Sequence, residues 1–399
     1  MWYLILLAIA YLAVNFFLWH RVVRMLRNVH GFFGKKWVVV IFSVIYFFLF
    51  SSVASWTLFD DPSWVAALKF INNVWIGVFI YAILFVAAAE AVTFVLWLAK
   101  KMRKDYPGYR RYIVARGSIV IALVLCFSLY GVFHYPDTKV ENYSVTIDKH
   151  TETADSMRIV LVADTHLGYS VGNDMMERMV EEINDQDPDL VVFAGDIVDN
   201  DYYALEDADK IAETLSGIES RYGVYGCYGN HDVEERLIGG FTVAGGKNAK
   251  VQPEVDQFVE KSGIELLEDE TAVVAGDITI IGRKDASKPN RAGAGGRESI
   301  EELMAGVDKE GPVICIDHQP SELEEKAKAG VDLDLGGHTH DGQIFPGNLL
   351  IDLFWENACG MKKVDDMYSV VTSGVGVWGP AMRVGTDSEI VVVDVSFGQ

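Results

Sequence analysis

At 399 residues the chain is longer than one ordinary hydrophobic core and points to two units. Its charge is unevenly divided: residues 1–135 carry 13 Lys and Arg against 4 Asp and Glu, leaving 21 against 52 for residues 136–399. That acidic excess argues against a nucleic-acid partner, because polyanion binding draws on Lys and Arg, and the four scattered cysteines give neither a disulfide framework nor a zinc knuckle.

Four apolar stretches of spanning length come first: Trp2–Trp19, Trp37–Phe59, Val74–Leu98 and Tyr112–His134. Each approaches the roughly 20 residues that cross a hydrocarbon core. They are apolar nearly all round, whereas a soluble four-helix bundle needs polar faces at helical period. The first stretch has no basic leader and no small-residue cleavage pattern, so it reads as a retained span. Arg21, Arg24, Arg27, Lys35 and Lys36 separate spans one and two; Lys100, Lys101, Arg103, Lys104, Arg110 and Arg111 separate spans three and four. The middle loop has Asp60, Asp61 and only Lys69. The positive-inside rule puts both basic loops in the cytoplasm and the acidic remainder outside it, periplasmic or external. Glu90 lies inside the third stretch and reads either as a functional intramembrane charge or, the favoured reading, as a protonated or paired group holding the bundle together, with Arg116 or Asn15 as partner.

Residues 136–156 form a polar connector with a first strand at Tyr143–Ile147, and residues 157–399 alternate strand-like with helix-like segments, an α/β pattern. Continuous apolar runs predict buried strands at Ile159–Ala163, Leu190–Ala194, Gly223–Tyr228, Val313–Ile316 and Val331–Leu335. Helical spacing of Met175, Met176, Met179, Val180 and Ile183 predicts a helix over Asn173–Asn184; Ser321–Ala329 is a second. Short strands are expected at Val273–Ala275 and Ile278–Ile281. The Gly-rich basic loop Arg283–Arg297 offers Arg283, Arg291 and Arg297 as a phosphate grip, or is simply a solvated loop.

Just past the five buried strands stand Asp164-Thr165-His166, Gly195-Asp196, Gly229-Asn230-His231-Asp232, His318 and Gly337-His338-Thr339-His340. Open α/β sheets bind ligands at that edge. Without His231 and Asp232, these clusters supply two carboxylates, one amide oxygen and four imidazoles, enough hard oxygen and borderline nitrogen for two divalent ions. Such a pair clamps both oxygens of an in-line phosphoryl displacement.

The order DxH, GD, GNHD, H, GHxH resembles the calcineurin-like metallophosphoesterase superfamily. The tail Thr372–Pro380 is similar to the membrane-associated or exported bacterial branch that includes the YkuE and YaeI proteins, in which a glycine usually stands in place of Asp341. The resemblance implies a β-sandwich flanked by helices (αββα), here preceded by the all-α four-span region. It also implies that Asp164, His166 and His340 hold one metal, that Asn230, His318 and His338 hold the other, and that Asp196 bridges. It gives His231 the role of stabilising the transition state or protonating the leaving oxygen, with Asp232 orienting it. Two divalent ions (Mn, Fe or Zn) are the expected cofactors.

The expected reaction is metal-assisted hydrolysis of a phosphoester or pyrophosphate, in a multi-pass protein of the bacterial cytoplasmic membrane. Tethering at a bilayer raises the effective concentration of lipid head groups. The resemblance to that branch implies phospholipid or lipid-linked pyrophosphate substrates, so a lipid or cell-envelope precursor is expected. Trp378, Phe345, Leu349, Leu350, Phe354 and Trp355 form either an apolar docking surface or ordinary core. Hydrolysis of soluble nucleotides and a non-catalytic metal-binding sensor are the alternatives.

Overall fold

The computed structural model describes residues 2–58, 63–99, 108–242, 252–289 and 296–398. The chain divides into two compact units, Met1–Val132 and Phe133–Gln399.

The first unit is built from helices α1 (Trp2–Val29), α2 (Lys36–Ser51), α3 (Ser63–Leu98) and α4 (Tyr109–His134). Each lies in a segment long and apolar enough to cross a membrane. Helix α1 continues past the expected end at Trp19 and carries Arg21, Arg24 and Arg27 on its last turns. Asp60, Asp61 and Lys100–Lys104 lie outside the described residues. Glu90 is paired, as anticipated, by Arg116 at 3.2 Å, and also by Arg21 at 2.9 Å. Asn15 instead accepts the Tyr46 hydroxyl at 3.0 Å.

In the second unit the elements run β1 (Thr138–Ile147), β2 (Ser156–Val162), α5 (Asn173–Asn184), β3 (Leu190–Ala194), α6 (Ala208–Leu215) and β4 (Val224–Cys227). They continue α7 (Pro253–Lys261), β5 (Glu265–Leu266), β6 (Glu270–Val274), β7 (Ile278–Gly282), β8 (Val313–Ile316), α8 (Leu323–Ala329) and β9 (Leu333–Gly336), closing with β10 (Gly360–Val364), β11 (Met367–Val371) and β12 (Ser388–Phe397). The connector contributes more than expected: β1 starts five residues before Tyr143 and pairs in parallel along its whole length with β12.

Two six-stranded sheets result, ordered β1-β12-β2-β3-β4-β5 and β10-β11-β9-β8-β7-β6. Ile159, Leu161, Leu190 and Val192 of the first pack with Ile280, Ile314, Leu333 and Val370 of the second in one buried cluster. The alternate residues Val160, Val162, Val191 and Phe193 are buried too. Both faces of these strands are therefore covered, which is why they read as unbroken apolar runs. Helices α5, α6 and α7 pack in series, and Leu323 and Ala329 of α8 bury against Val313, Cys315 and Met367 behind the second sheet. This is the layered α/β/β/α arrangement. Strands β2, β3 and β4 are mutually parallel, as are β7, β8 and β9, so their carboxyl ends gather at common sheet edges.

Candidate metal centre

Five of the seven candidate ligands sit on left-handed backbone: Asp164 (φ 53°), His166 (43°), Asp196 (51°), His338 (75°) and His340 (51°). Each such non-glycine residue costs about 1–2 kcal/mol, and strain of this kind concentrates at functional sites. The sharp turns aim side chains back over the strand ends. Gly229 and Gly337 permit the closeness, since a Cβ on either would collide with the carboxylates of Asp196 and Asp164 respectively. Asp341 takes the left-handed backbone (φ 50°) that a glycine would adopt easily.

Two groups of buried donors form. In one, His166 Nε2 lies 3.0 Å from His340 Nε2, and both face Asp164 Oδ1, at 4.0 and 3.7 Å. That oxygen is buried without a hydrogen-bond partner, while Asp164 Oδ2 accepts the His338 amide at 2.8 Å. In the other, His318 Nε2 lies 3.1 Å from Asn230 Oδ1 and 3.2 Å from His338 Nδ1. Asp196 joins the two groups: its Oδ2 stands 3.1 Å from His318 Nε2 and 3.6 Å from His166 Nε2, and its Oδ1 accepts the His231 amide at 2.7 Å. Ring nitrogens crowded around an orphaned carboxylate oxygen fit a cation better than they fit one another.

Charge follows the same division. Burial pushes the Asp164 carboxyl up to about 6. Burial opposes charge on Asp196 as well, but the imidazoles of His318, His231 and His166 together outweigh it and hold that carboxyl well below the usual range; reciprocally, Asp196 and Asp164 hold His318 well above the usual imidazole value against burial. Burial, with His318 beside it, pushes His338 down to about 3, and burial with His166 pushes His340 well down.

The residues behind His231 differ from the sequence expectation. The two carboxylate oxygens of Asp232 accept the amides of Val198 (2.9 Å) and Gly229 (2.8 Å), so this residue ties two site loops together. The groups at His231 Nδ1 are Asn200 Oδ1 at 2.5 Å and Asp199 Oδ1 at 3.5 Å. Asn200 Nδ2 donates to the Val233 carbonyl at 3.0 Å, which fixes its oxygen toward the ring. Asp199 Oδ1 also stands 3.4 Å from His166 Nδ1. Sequence reasoning passed over both residues. The signal was the second carboxylate and amide three and four positions after Asp196, in a loop that returns to the same turn.

Arg283 and Arg297 do not serve as the expected phosphate grip. Arg283 is buried and donates to Glu322 (2.7 Å) and the Glu298 carbonyl (2.8 Å), while Arg297 grips Asp317 through both terminal nitrogens, at 2.9 and 2.6 Å. Lys326 completes this network on Asp317 at 2.8 Å. These cations are neutralised internally on Asp317, the residue before His318; Arg291 lies outside the described residues. Arg383, also unanticipated, is fully buried and donates to the carbonyls of Ser373, Gly374 and Gly376, clamping the tail loop whose Gly376 amide meets the Asp164 carbonyl at 2.7 Å.

Residues 157–342 match the family model described as calcineurin-like phosphoesterase. A transmembrane protein with metallophosphoesterase domain from Danio rerio is 28% identical over 395 residues, covering 94% of this chain and 85% of that one. A metallophosphoesterase of Campylobacter jejuni is 25% identical over 369 residues, 90% of each. The metallophosphoesterase YkuE of Bacillus subtilis is 28% identical over 260 residues, 60% of this chain and 78% of that. The strand-end constellation, the layered fold and these relatives together identify a calcineurin-like metallophosphoesterase domain, a metal-dependent phosphoester hydrolase carried on a chain with four candidate membrane spans.

Proposed function

We propose that this chain is an integral-membrane, two-metal phosphoesterase acting on a lipid-linked or cell-envelope phosphoester or pyrophosphate outside the cytoplasm. The observation that carries the two-metal reading is the single oxygen, Asp196 Oδ2, lying within 3.1 and 3.6 Å of imidazole nitrogens from both donor groups. Asp164, His166 and His340 hold one ion in this reading, Asn230, His318 and His338 the other, with Asp196 shared. Two divalent ions bound there would polarise the phosphoryl group and lower the pKa of the attacking water, and Mn²⁺, Fe²⁺ or Zn²⁺ suits such donors. His231, its Nδ1 proton held by the Asn200 oxygen, presents Nε2 to donate a proton to the departing oxygen. Trp378 packs edge-on against His231 (5.7 Å between ring centroids) and limits water beside it.

The lipid part of the proposal rests on the segment that follows the last histidines. Leu349, Leu350, Leu353 and Phe354 are 65, 49, 76 and 76% exposed, a cluster rather than the core that their sequence equally allowed. An apolar patch of this kind marks a membrane or ligand contact. Trp355, next in the chain, packs against His338 with ring centroids 4.9 Å apart, connecting the patch to the metal donors. The extracytoplasmic placement rests on the Lys and Arg distribution of the loops. The test is a metal-reconstituted screen of lipid-linked pyrophosphate, phospholipid and nucleotide substrates with wild type and Leu353→Asp/Phe354→Asp. The double variant should lose turnover of lipid substrates while keeping that of a soluble diester. Equal loss on both, or nucleotide turnover matching the lipids in wild type, would overturn the lipid assignment. Protease added to intact spheroplasts should clip the second unit; full protection would reverse the topology.

A further inference from the structure

The membrane unit encloses a cavity of about 240 Å³ among its helices. Leu18 and Val22 line it from α1, Phe79 and Val86 from α3, and Val120 and Val124 from α4. A space walled by such side chains stays dry. One end is different. Arg21, Arg24 and Arg116 reach it together with one acidic residue, Glu90.

Arg21 Nη2 and Arg116 Nη1 share the same Glu90 oxygen, at 2.9 and 3.2 Å. Among the described residues their other contacts are neutral. Arg116 Nη1 donates to Thr93 Oγ1 at 2.8 Å and Arg24 Nη2 to the Tyr109 hydroxyl at 3.0 Å. Arg21 Nε, buried, has no hydrogen-bond partner. Among the described residues lining the cavity, three guanidiniums thus face one carboxylate. Charge within a bilayer is costly unless paired, so an excess of two positive charges at the head of an apolar pocket calls for an anion that carries an apolar tail.

We propose that this cavity binds a phosphate-headed lipid, its chain among the apolar side chains and its phosphate against Arg21, Arg24 and Arg116. Guanidinium forks match phosphate oxygens in geometry and remain charged, and basic pockets between transmembrane helices are suited to anionic head groups. A terminal phosphate monoester carries about −1.5 to −2 near neutral pH, the charge that neutralises the excess; a diester, at about −1, leaves part of it. The site draws no residue from the second unit, so it stands independently of the hydrolytic reading.

The test uses the full chain in phosphatidylcholine nanodiscs doped with phosphatidic acid or phosphatidylglycerol of the same acyl chains, with inorganic phosphate as the soluble arm. Retained lipid is read by native mass spectrometry and the unfolding midpoint by a thermal shift. Phosphatidic acid should be retained most, phosphatidylglycerol less and phosphatidylcholine least, and phosphatidic acid should raise the midpoint. Arg116→Gln should weaken phosphatidic acid retention about tenfold, and Glu90→Gln, which removes the competing anion, should strengthen it. Equal retention of all three lipids would overturn the proposal, as would selectivity unchanged in both variants. A midpoint raised as far by inorganic phosphate as by phosphatidic acid would overturn its lipid part. Should Arg116→Gln fail to fold, Glu90→Gln carries the same decision.

Discussion

The two donor groups of the metal centre are held from behind in different ways. His166 has the carboxylate of Asp199 at its outer nitrogen, 3.4 Å away, whereas the outer nitrogen of His318 meets the Ala194 carbonyl, at 2.8 Å. Asp164 brings a carboxylate to the first group, while Asn230 brings a neutral amide to the second. The carboxylate-backed imidazole is the more basic donor. In the two-ion reading proposed above, the first group is suited to hold its ion tightly, and the second to leave its ion more electrophilic. Asp196 faces both groups and, in that reading, would make them a single centre.

Removing Asp196 should therefore have the largest effect. Asp196→Ala should abolish turnover and deplete both ions, measured as metal per chain and hydrolysis rate; retention of two ions would break the shared-ligand assignment. His231→Ala comes next. A loss of about 10²–10⁴ in kcat with both ions retained is expected of a proton donor, and metal loss in that variant would show it to be a ligand. Asp199→Asn should lower activity or metal affinity about 10–100-fold, chiefly in the first group; an equal effect on both groups would erase the difference between them.

Proton competition should separate the groups further. The raised His318 stabilises the metal-free fold while it is protonated. That contribution is complete below the unfolded imidazole value of about 6.5 and is lost as pH rises through the higher folded value. The depressed Asp196 contributes above about 3.9, and its share is lost as pH falls through its lower folded value. Metal binding instead needs His318 neutral, so affinity of the second group should rise with pH and release about one proton per ion near neutrality. Calorimetry in buffers of differing ionisation enthalpy measures this; no proton release would contradict it. The smallest change is expected of Asp341→Gly. It relieves a left-handed aspartate and should shift stability by no more than about 1 kcal/mol in a thermal melt.

The strand ends were legible because burial on both sheet faces leaves a plain trace: unbroken apolar runs that stop at Gly, Asp, Asn or His. Helix α5 was legible to the residue because its five buried positions repeat at helical spacing. What escaped were contacts between residues distant in sequence. Arg283 and Arg297 look like anion-binding groups in their own loop, but their partners Asp317 and Glu322 lie 20 to 39 positions away. Asp199 and Asn200 escaped for another reason. Their value depends on the left-handed turns at Asp196 and at Asn200 itself (φ 61°), and residue order does not display a backbone reversal. The exposure of Leu349–Phe354 was equally hidden, since an apolar run without period reads the same whether it is core or surface.

The most direct test counts metal and activity on the same samples. Wild-type protein reconstituted with Mn²⁺ should hold two ions per chain and hydrolyse a diester probe, with Asp196→Ala losing both together. One ion or none in a protein that still turns over the probe, or two ions in Asp196→Ala, would contradict a centre shared through Asp196.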